Sequence, residues 1–284
     1  MHKTVNVLIT GSNGVVGSYI PQIFSNDKYN LHLTTRQSLD VTDKKRVFDV
    51  FHSFRPDFVI HLAAKTNVDM CEKNPFDTFK VNTKGTINIV LACRFYKATL
   101  AFVSTAGVFD GSRSGFYEND RPSPLSVYGK SKYKAEKAIQ KLLKNYFIVR
   151  AGWMIGGVKR EKKFISYVFD KIKKGERVNA VSDTLGTLTY AKELVVIIKK
   201  LYEKNYPYGT YHFGSREICS RYDIAKEISK IVKSDSAIIP VSWKDFSDKF
   251  FAPRPKNEIL KSRRLYSLKN WKESLNEYIK NELL

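Results

Sequence analysis

A glycine-rich turn, Gly11-Ser12-Asn13-Gly14-Val15-Val16-Gly17, follows directly on a short β-branched run at residues 5–9. No other segment constrains the fold as tightly. Glycines at this spacing permit a tight turn, close approach of the backbone to an anion, and packing of a following helix against the strand. The helix N-terminus then presents free N–H groups to that anion. The motif carries this meaning only between a strand and a helix, and the downstream sequence supplies the setting. Residues 30–34, 58–63, 100–104 and 147–150 are brief, apolar and rich in β-branched or aromatic side chains, as buried parallel strands require. Residues 83–97 set Ile87, Val90, Leu91 and Phe95 on one helical face, and residues 130–143 do so with Ala135, Ala138, Ile139 and Leu142. This alternation predicts right-handed βαβ units and an α/β fold with a doubly wound parallel sheet over residues 1–150.

The rhythm changes after Arg150. Residues 164–174, 191–202 and 268–279 read as helices and 208–213 as a strand. Ser220 and Asp223 form a capping pair ahead of an apolar run at 224–232, and a Pro- and aromatic-rich stretch spans 246–255. We expect residues 151–284 to form mainly a smaller α+β substrate lobe, with some segments returning to the sheet. The three cysteines, Cys71, Cys93 and Cys219, exclude a disulfide framework and any CxxC site; Cys71 and Cys93 read as small apolar packing groups. No apolar run is long enough to span a bilayer and no signal-peptide pattern opens the chain, so the expectation is a cytoplasmic protein without a membrane partner. The 49 Lys+Arg against 28 Asp+Glu leave a net charge of +21, but the basic residues scatter in pairs such as Lys173-Lys174 and Lys199-Lys200. That pattern suits a solvated face rather than a nucleic-acid footprint, and its positive field favours a small polyanion such as a nucleotide.

Two further clusters carry chemistry. Where NAD-binding chains usually place an acidic residue for the ribose 2′-hydroxyl, this one has Thr34-Thr35-Arg36. A guanidinium there can clamp a 2′-phosphate, which favours NADPH over NADH; the plainer reading of Arg36 is an exposed side chain. Tyr128 and Lys132, four apart at the opening of a helix, share one face. A cation there is expected to lower the phenol's pKa, and Thr105 at the end of the fourth strand can polarise a carbonyl. His61 and His212 sit inside apolar runs and read as structural, while Asn82 reads equally as a turn residue or as an orienter near Lys132.

The strings Leu39-Asp40-Val41-Thr42-Asp43, His61-Leu62-Ala63-Ala64, Thr66-Asn67-Val68-Asp69, Pro124-Leu125-Ser126-Val127-Tyr128-Gly129-Lys130 and Ala252-Pro253-Arg254-Pro255, with Trp153, resemble the dTDP-4-dehydrorhamnose reductase family of the extended short-chain dehydrogenase/reductases. The resemblance spans nearly the whole chain and implies a Rossmann sheet and reduction of a nucleotide-linked 4-keto-6-deoxy sugar by NADPH or NADH. It implies that Thr105, Tyr128 and Lys132 are catalytic. Gly11, Asn13, Gly14, Val15 and Val16 would line the pyrophosphate, and Asp40 and Val41 would meet the adenine. Leu62, Ala63, Ala64, Lys65, Thr66 and Val103 would flank the rest of the cofactor, and Val68, Ala106, Trp153 and Arg254 would meet the sugar nucleotide.

The departures bear on the substrate. The family's Ser-Thr-Asp-Tyr is Ser104-Thr105-Ala106-Gly107 here, and its Asp-Gln-x-Gly-x-Pro-Thr is Asp183-Thr184-Leu185-Gly186-Thr187-Leu188-Thr189. Ser18-Tyr19-Ile20 lacks the acidic residue with which some members bind magnesium, so no metal is expected, and the protein should be a monomer or homodimer. Ala106-Gly107 cannot supply the acid–base pair of a 4,6-dehydratase. Another sugar-nucleotide reductase or epimerase, or a non-catalytic NADP-binding subunit similar to the β subunit of methionine adenosyltransferase, are the alternatives.

Overall fold

A computed structural model describes residues 4–157, 164–246, 250–265 and 268–284. Its first half alternates β1 (Val5–Thr10), α1 (Ile20–Ile23), β2 (Tyr29–Thr34), α2 (Lys44–Phe54), β3 (Phe58–His61), α3 (Val68–Lys73), α4 (Pro75–Phe79), α5 (Thr86–Tyr96), β4 (Thr99–Thr105), α6 (Val127–Leu142) and β5 (Tyr146–Ala151). The second half comprises β6 (Trp153–Ile155), α7 (Phe164–Lys173), β7 (Val178–Val181), β8 (Leu185–Gly186), β9 (Leu188–Tyr190), α8 (Ala191–Glu203), β10 (Gly209–Phe213), β11 (Cys219–Ser220), α9 (Arg221–Ile231), β12 (Ile238–Val241), β13 (Asn257–Glu258) and α10 (Trp271–Tyr278).

Six strands pair in the order β10-β5-β4-β3-β1-β2, all parallel. The expected doubly wound sheet is present, and β10 from the second half closes one edge. Alternation along each strand feeds two cores. Val7, Ile9, Phe58, Ile60, Phe147 and Val149 face one side with α8 and α10 residues. Leu8, Val59, Leu100, Phe102 and Ile148 face the other, against Val47, Phe51, Ile89, Val90, Ala135 and Ile139. The remaining strands of the second half form smaller sheets, β11-β8-β13, β12-β7 and β6-β9.

Two elements differ from expectation. The helix after the glycine turn is short: a 3₁₀ turn, Gly17–Tyr19, runs into the four-residue α1, with Pro21 in the first turn where no N–H is required. The helix expected over 83–97 begins as a π-helical segment, Lys80–Gly85, before α5. Gly85 lets that segment press on Val41, where a Cβ would lie 2.7 Å from Val41 Cγ2. Of the 246–255 stretch, residues 247–249 lie outside the described residues. Among the described residues no helix is long and apolar enough to cross a membrane.

Candidate active site

Strand order reverses between β1 and β3, so their connections diverge and leave a crevice at the carboxyl edge, the usual ligand position in such sheets. Gly11 opens it. Its φ of +70° suits glycine, and a Cβ would lie 2.7 Å from the Ala63 amide nitrogen, so the β1 turn and the β3 exit touch. The Gly14 N–H turns back to the Gly11 carbonyl at 3.1 Å. The N–H groups of Asn13 and Val15 reach no acceptor among the described residues, and Asn13 and Gly14 are exposed. Unpaired amides at a bare glycine turn suit a pyrophosphate.

Beneath this turn Thr10 Oγ1 meets His61 Nδ1 at 2.6 Å and accepts from the Leu62 and Ala63 amides, both at 3.3 Å. His61 Nε2 contacts Thr86 Oγ1 at 3.0 Å. Burial, followed by the nearby Lys132 charge, pushes His61 down to about 3, so this histidine is a neutral strut. Asn82 resolves as an orienter: its Oδ1 accepts from the Lys65 amide at 2.7 Å, and its Nδ2 donates to the Lys65 carbonyl and to Ser131 Oγ, each at 3.0 Å. The segment 62–66 is thereby fixed to α6. Lys65 pairs with Asp77, and Thr66 is exposed.

At the end of β2, Arg36 is exposed and Asp40 half-buried. Burial would raise the Asp40 carboxyl, but the Thr42 amide and hydroxyl, then Arg36 and Lys80, hold it below its ordinary value. The Val41 side chain is 3% exposed, so it supports the site from the core.

Helix α6 is capped by Ser126, whose Oγ accepts from the Gly129 amide at 3.1 Å. A Cβ on Gly129 would lie 2.1 Å from the Gly107 carbonyl oxygen, so only glycine lets α6 begin this close to the loop after β4. That contact brings Tyr128 to Thr105, whose Oγ1 accepts from the Gly107 amide at 3.1 Å. Lys132 follows one turn on, buried, its ammonium 3.9 Å from the Phe102 ring centroid. The expected lowering of the phenol by Lys132 is not what dominates. Burial pushes Tyr128 up to about 12, opposed by Thr105 and assisted by Cys71 and Glu258. Burial pushes Lys132 down to about 7, opposed by Glu136.

Glu136, on the same helix, anchors this edge. It is 0% exposed, accepts from Ser104 Oγ at 2.5 Å, and pairs with Arg150 through Nε at 3.0 Å and Nη2 at 2.7 Å. Arg150 Nη1 reaches His212 Nε2 at 3.2 Å. Burial, then Arg150, pushes His212 down to about 4, consistent with a structural role.

Across the crevice, Trp153 Nε1 donates to Glu258 Oε2 at 3.0 Å, with the Arg221 guanidinium 4.6 Å from the indole centroid. Arg254 pairs with Asp69 through both terminal nitrogens, Nη1 at 3.1 Å, and the Ala252 amide donates to Asp69 Oδ1 at 3.0 Å. Its guanidinium lies 5.3 Å from both the Trp243 and Phe250 rings. Burial would raise the Asp69 carboxyl, but the Arg254 pair and the Ala252 amide outweigh it. The late loop is thus latched to α3 one residue from Val68, and Arg254 already has a counter-ion. Ala106, expected to meet the sugar nucleotide, is instead 2% exposed and packs into a core with Val108, Phe109, Phe116 and Leu260, because its methyl is apolar and turns away from the crevice.

The family model described as the RmlD substrate binding domain matches residues 5–284. A dTDP-4-dehydrorhamnose reductase from Aggregatibacter actinomycetemcomitans is 30% identical over 267 residues, 89% of this chain and 90% of that protein. The solved dTDP-4-dehydrorhamnose reductase of Bacillus anthracis, in complex with NADP, superposes with a TM-score of 0.91 at 32% identity, covering 98% of this chain and 99% of that one. The bovine methionine adenosyltransferase 2 subunit beta is 26% identical over 276 residues, 92% of this chain and 82% of that protein. The chain belongs to the dTDP-4-dehydrorhamnose reductase family.

Within this reductase-family chain the structure sets Tyr128 against Thr105 with Lys132 one turn on, packs α3, which begins at Val68, near α6, joins Arg254 to α3 through Asp69, and sets Trp153 against Glu258. Sequence reasoning missed Glu258 and Arg221 around Trp153, and Glu136 on α6 behind Lys132. Arg221 registered only within the string Ser220-Arg221-Tyr222-Asp223, which resembles the family and reads as a helix cap, and the capping box is present. Glu258 had no motif around it.

Proposed function

We propose that this chain uses NADPH to reduce the 4-keto group of a nucleotide-linked 6-deoxy sugar, as a dTDP-4-dehydrorhamnose reductase. The observation that carries the reading is the placement of Tyr128 against Thr105, with Lys132 one turn on, at the crevice where β1 and β3 diverge. NADPH supplies a hydride when bound. The Asn13 and Val15 amides would hold its phosphates, Arg36 its 2′-phosphate, and Asp40 its adenosine end. Alternatively NADH would bind without using Arg36.

Thr105 hydrogen-bonds the ketone oxygen, and Tyr128 donates its proton to that oxygen as negative charge develops there. Burial keeps the Tyr128 phenol protonated at neutral pH, as a donor must be. The phenolate left behind favours the protonated form of Lys132, whose own value near 7 lets it respond to that charge. Gly107 leaves open space beside Thr105, where a bulkier side chain would narrow the pocket. The same reading expects a cytoplasmic monomer or homodimer. The test is NADPH oxidation with dTDP-4-keto-6-deoxy-L-mannose alongside its UDP-, GDP- and CDP-linked analogues. Turnover fastest with the dTDP sugar supports the proposal; intact NADPH binding with no turnover of any of them would favour a non-catalytic subunit.

A further inference from the structure

Glu258 is an acidic side chain in a crevice otherwise suited to anions. It stands on β13, which pairs in parallel with β8 so that Glu258 lies beside Gly186. The bare Gly186 lets the Trp153 indole lie against it, where a Cβ would sit 2.7 Å from Trp153 Cε2. With Arg221 over the ring, the indole is fixed and its N–H aims at Glu258 Oε2. Asn257 ties the same strand to the loop after β4, its Nδ2 donating to the Gly111 carbonyl at 3.2 Å. The carboxylate is therefore held in place, half-buried, beside the Trp153 indole.

Only one of its two oxygens is used. Oε1 accepts no hydrogen bond from any described residue, and Glu258 is half-buried rather than sealed. Burial raises its pKa, with Arg221, Trp153 and Arg254 opposing, and its charge bears in turn on the Tyr128 phenol. The Arg221 guanidinium near it offsets part of the repulsion an unaccompanied carboxylate would exert on a diphosphate. A carboxylate can only accept hydrogen bonds, so what it fits is a group rich in O–H donors.

We propose that Glu258 grips the sugar ring of the substrate, its free oxygen accepting hydrogen bonds from ring hydroxyls, and that it selects a neutral sugar over one bearing a carboxylate. This rests on the reading of the site as that of a nucleotide-sugar reductase. Glu258→Gln keeps the shape and the acceptor for Trp153 but removes the charge. Hydrogen bonds to charged groups imply that affinity for dTDP-L-rhamnose falls about 10- to 100-fold, while affinities for dTDP, which lacks the sugar, and for NADPH hold. The preference for dTDP-glucose over dTDP-glucuronate should narrow in the variant. Calorimetric titration of both proteins with these ligands, beside the turnover assay on the wild type, separates the outcomes. A wild type without turnover of any keto-sugar nucleotide removes the functional reading and this inference with it. A wild type that turns over while Glu258→Gln binds dTDP-L-rhamnose as tightly overturns the inference alone. Equal losses for dTDP, NADPH and the sugar nucleotide would reduce Glu258 to a prop for Trp153 and overturn it as well.

Discussion

Replacing Glu136 by Gln should unsettle the protein in two separable ways. Glu136 and Arg150 are 0% and 3% exposed and share three charged hydrogen bonds, so neutralising the carboxylate strands a buried guanidinium. Breaking a buried pair from one side costs about 3 to 5 kcal/mol. At about 2 to 3 °C per kcal/mol for a chain of this length, Tm should fall by ~6 to 15 °C. The double variant Glu136→Leu with Arg150→Met removes both charges and should recover most of that loss, because apolar packing commonly replaces such a pair without penalty. The second effect is electrostatic. Burial pushes Lys132 down to about 7 and Glu136 is what opposes it. Without that carboxylate the ammonium loses its proton at lower pH, so the alkaline limb of kcat/KM should move to lower pH. Calorimetry and a pH–rate profile on the folded variant read the two effects independently. A Glu136→Gln protein within about 1 kcal/mol of wild type, or single-variant losses that simply add in the double, would refute the argument.

Two more outcomes follow from the same geometry. Arg36→Asp should weaken NADPH at least about tenfold while leaving NADH nearly unchanged, since a charge-assisted bond contributes about 1.5 to 3 kcal/mol; fluorescence titration with each cofactor checks it, and equal losses would make Arg36 structural. His61 has its pKa lowered from 6.5 to about 3 by burial and then by Lys132, so below 6.5 the unfolded chain binds a proton the native state refuses. Stability should be full above that value and fall as pH drops toward 3, and denaturant titrations at pH 7 and pH 5 should show a smaller loss for His61→Asn than for wild type.

The inner strands β3, β4 and β5 were legible because each carries a contiguous apolar run, whereas β2, also read as buried, is an edge strand whose Asn30, His32 and Leu33 are exposed; Gly11 to Gly17 could be read because its chemistry is local. The pairing of Tyr128 with Lys132 was legible from helical spacing alone. Their proton affinities were not, because those follow from enclosure by segments distant in sequence, and burial outweighs the neighbouring charge. Strands β8, β11 and β13 are two residues each and exist only through their partners, so no periodicity marks them. Glu258 inherits its place from one of those pairings. Glu136 looked like any charge on a helix, since its partner Arg150 lies on a strand read as an apolar run. The Asp69–Arg254 pair joins residues 185 apart, so the rigid late loop could be anticipated from its prolines but its anchor could not.

The central claim is that Tyr128 delivers the proton to a sugar ketone. Tyr128→Phe removes one hydroxyl from a half-buried ring and should leave the fold, NADPH affinity and sugar-nucleotide affinity intact. General acid catalysis is worth about 10²- to 10⁴-fold, so the rate of NADPH oxidation with dTDP-4-keto-6-deoxy-L-mannose should fall by that factor in kcat with little change in KM. A Tyr128→Phe enzyme that turns over within a few-fold of wild type would contradict the account.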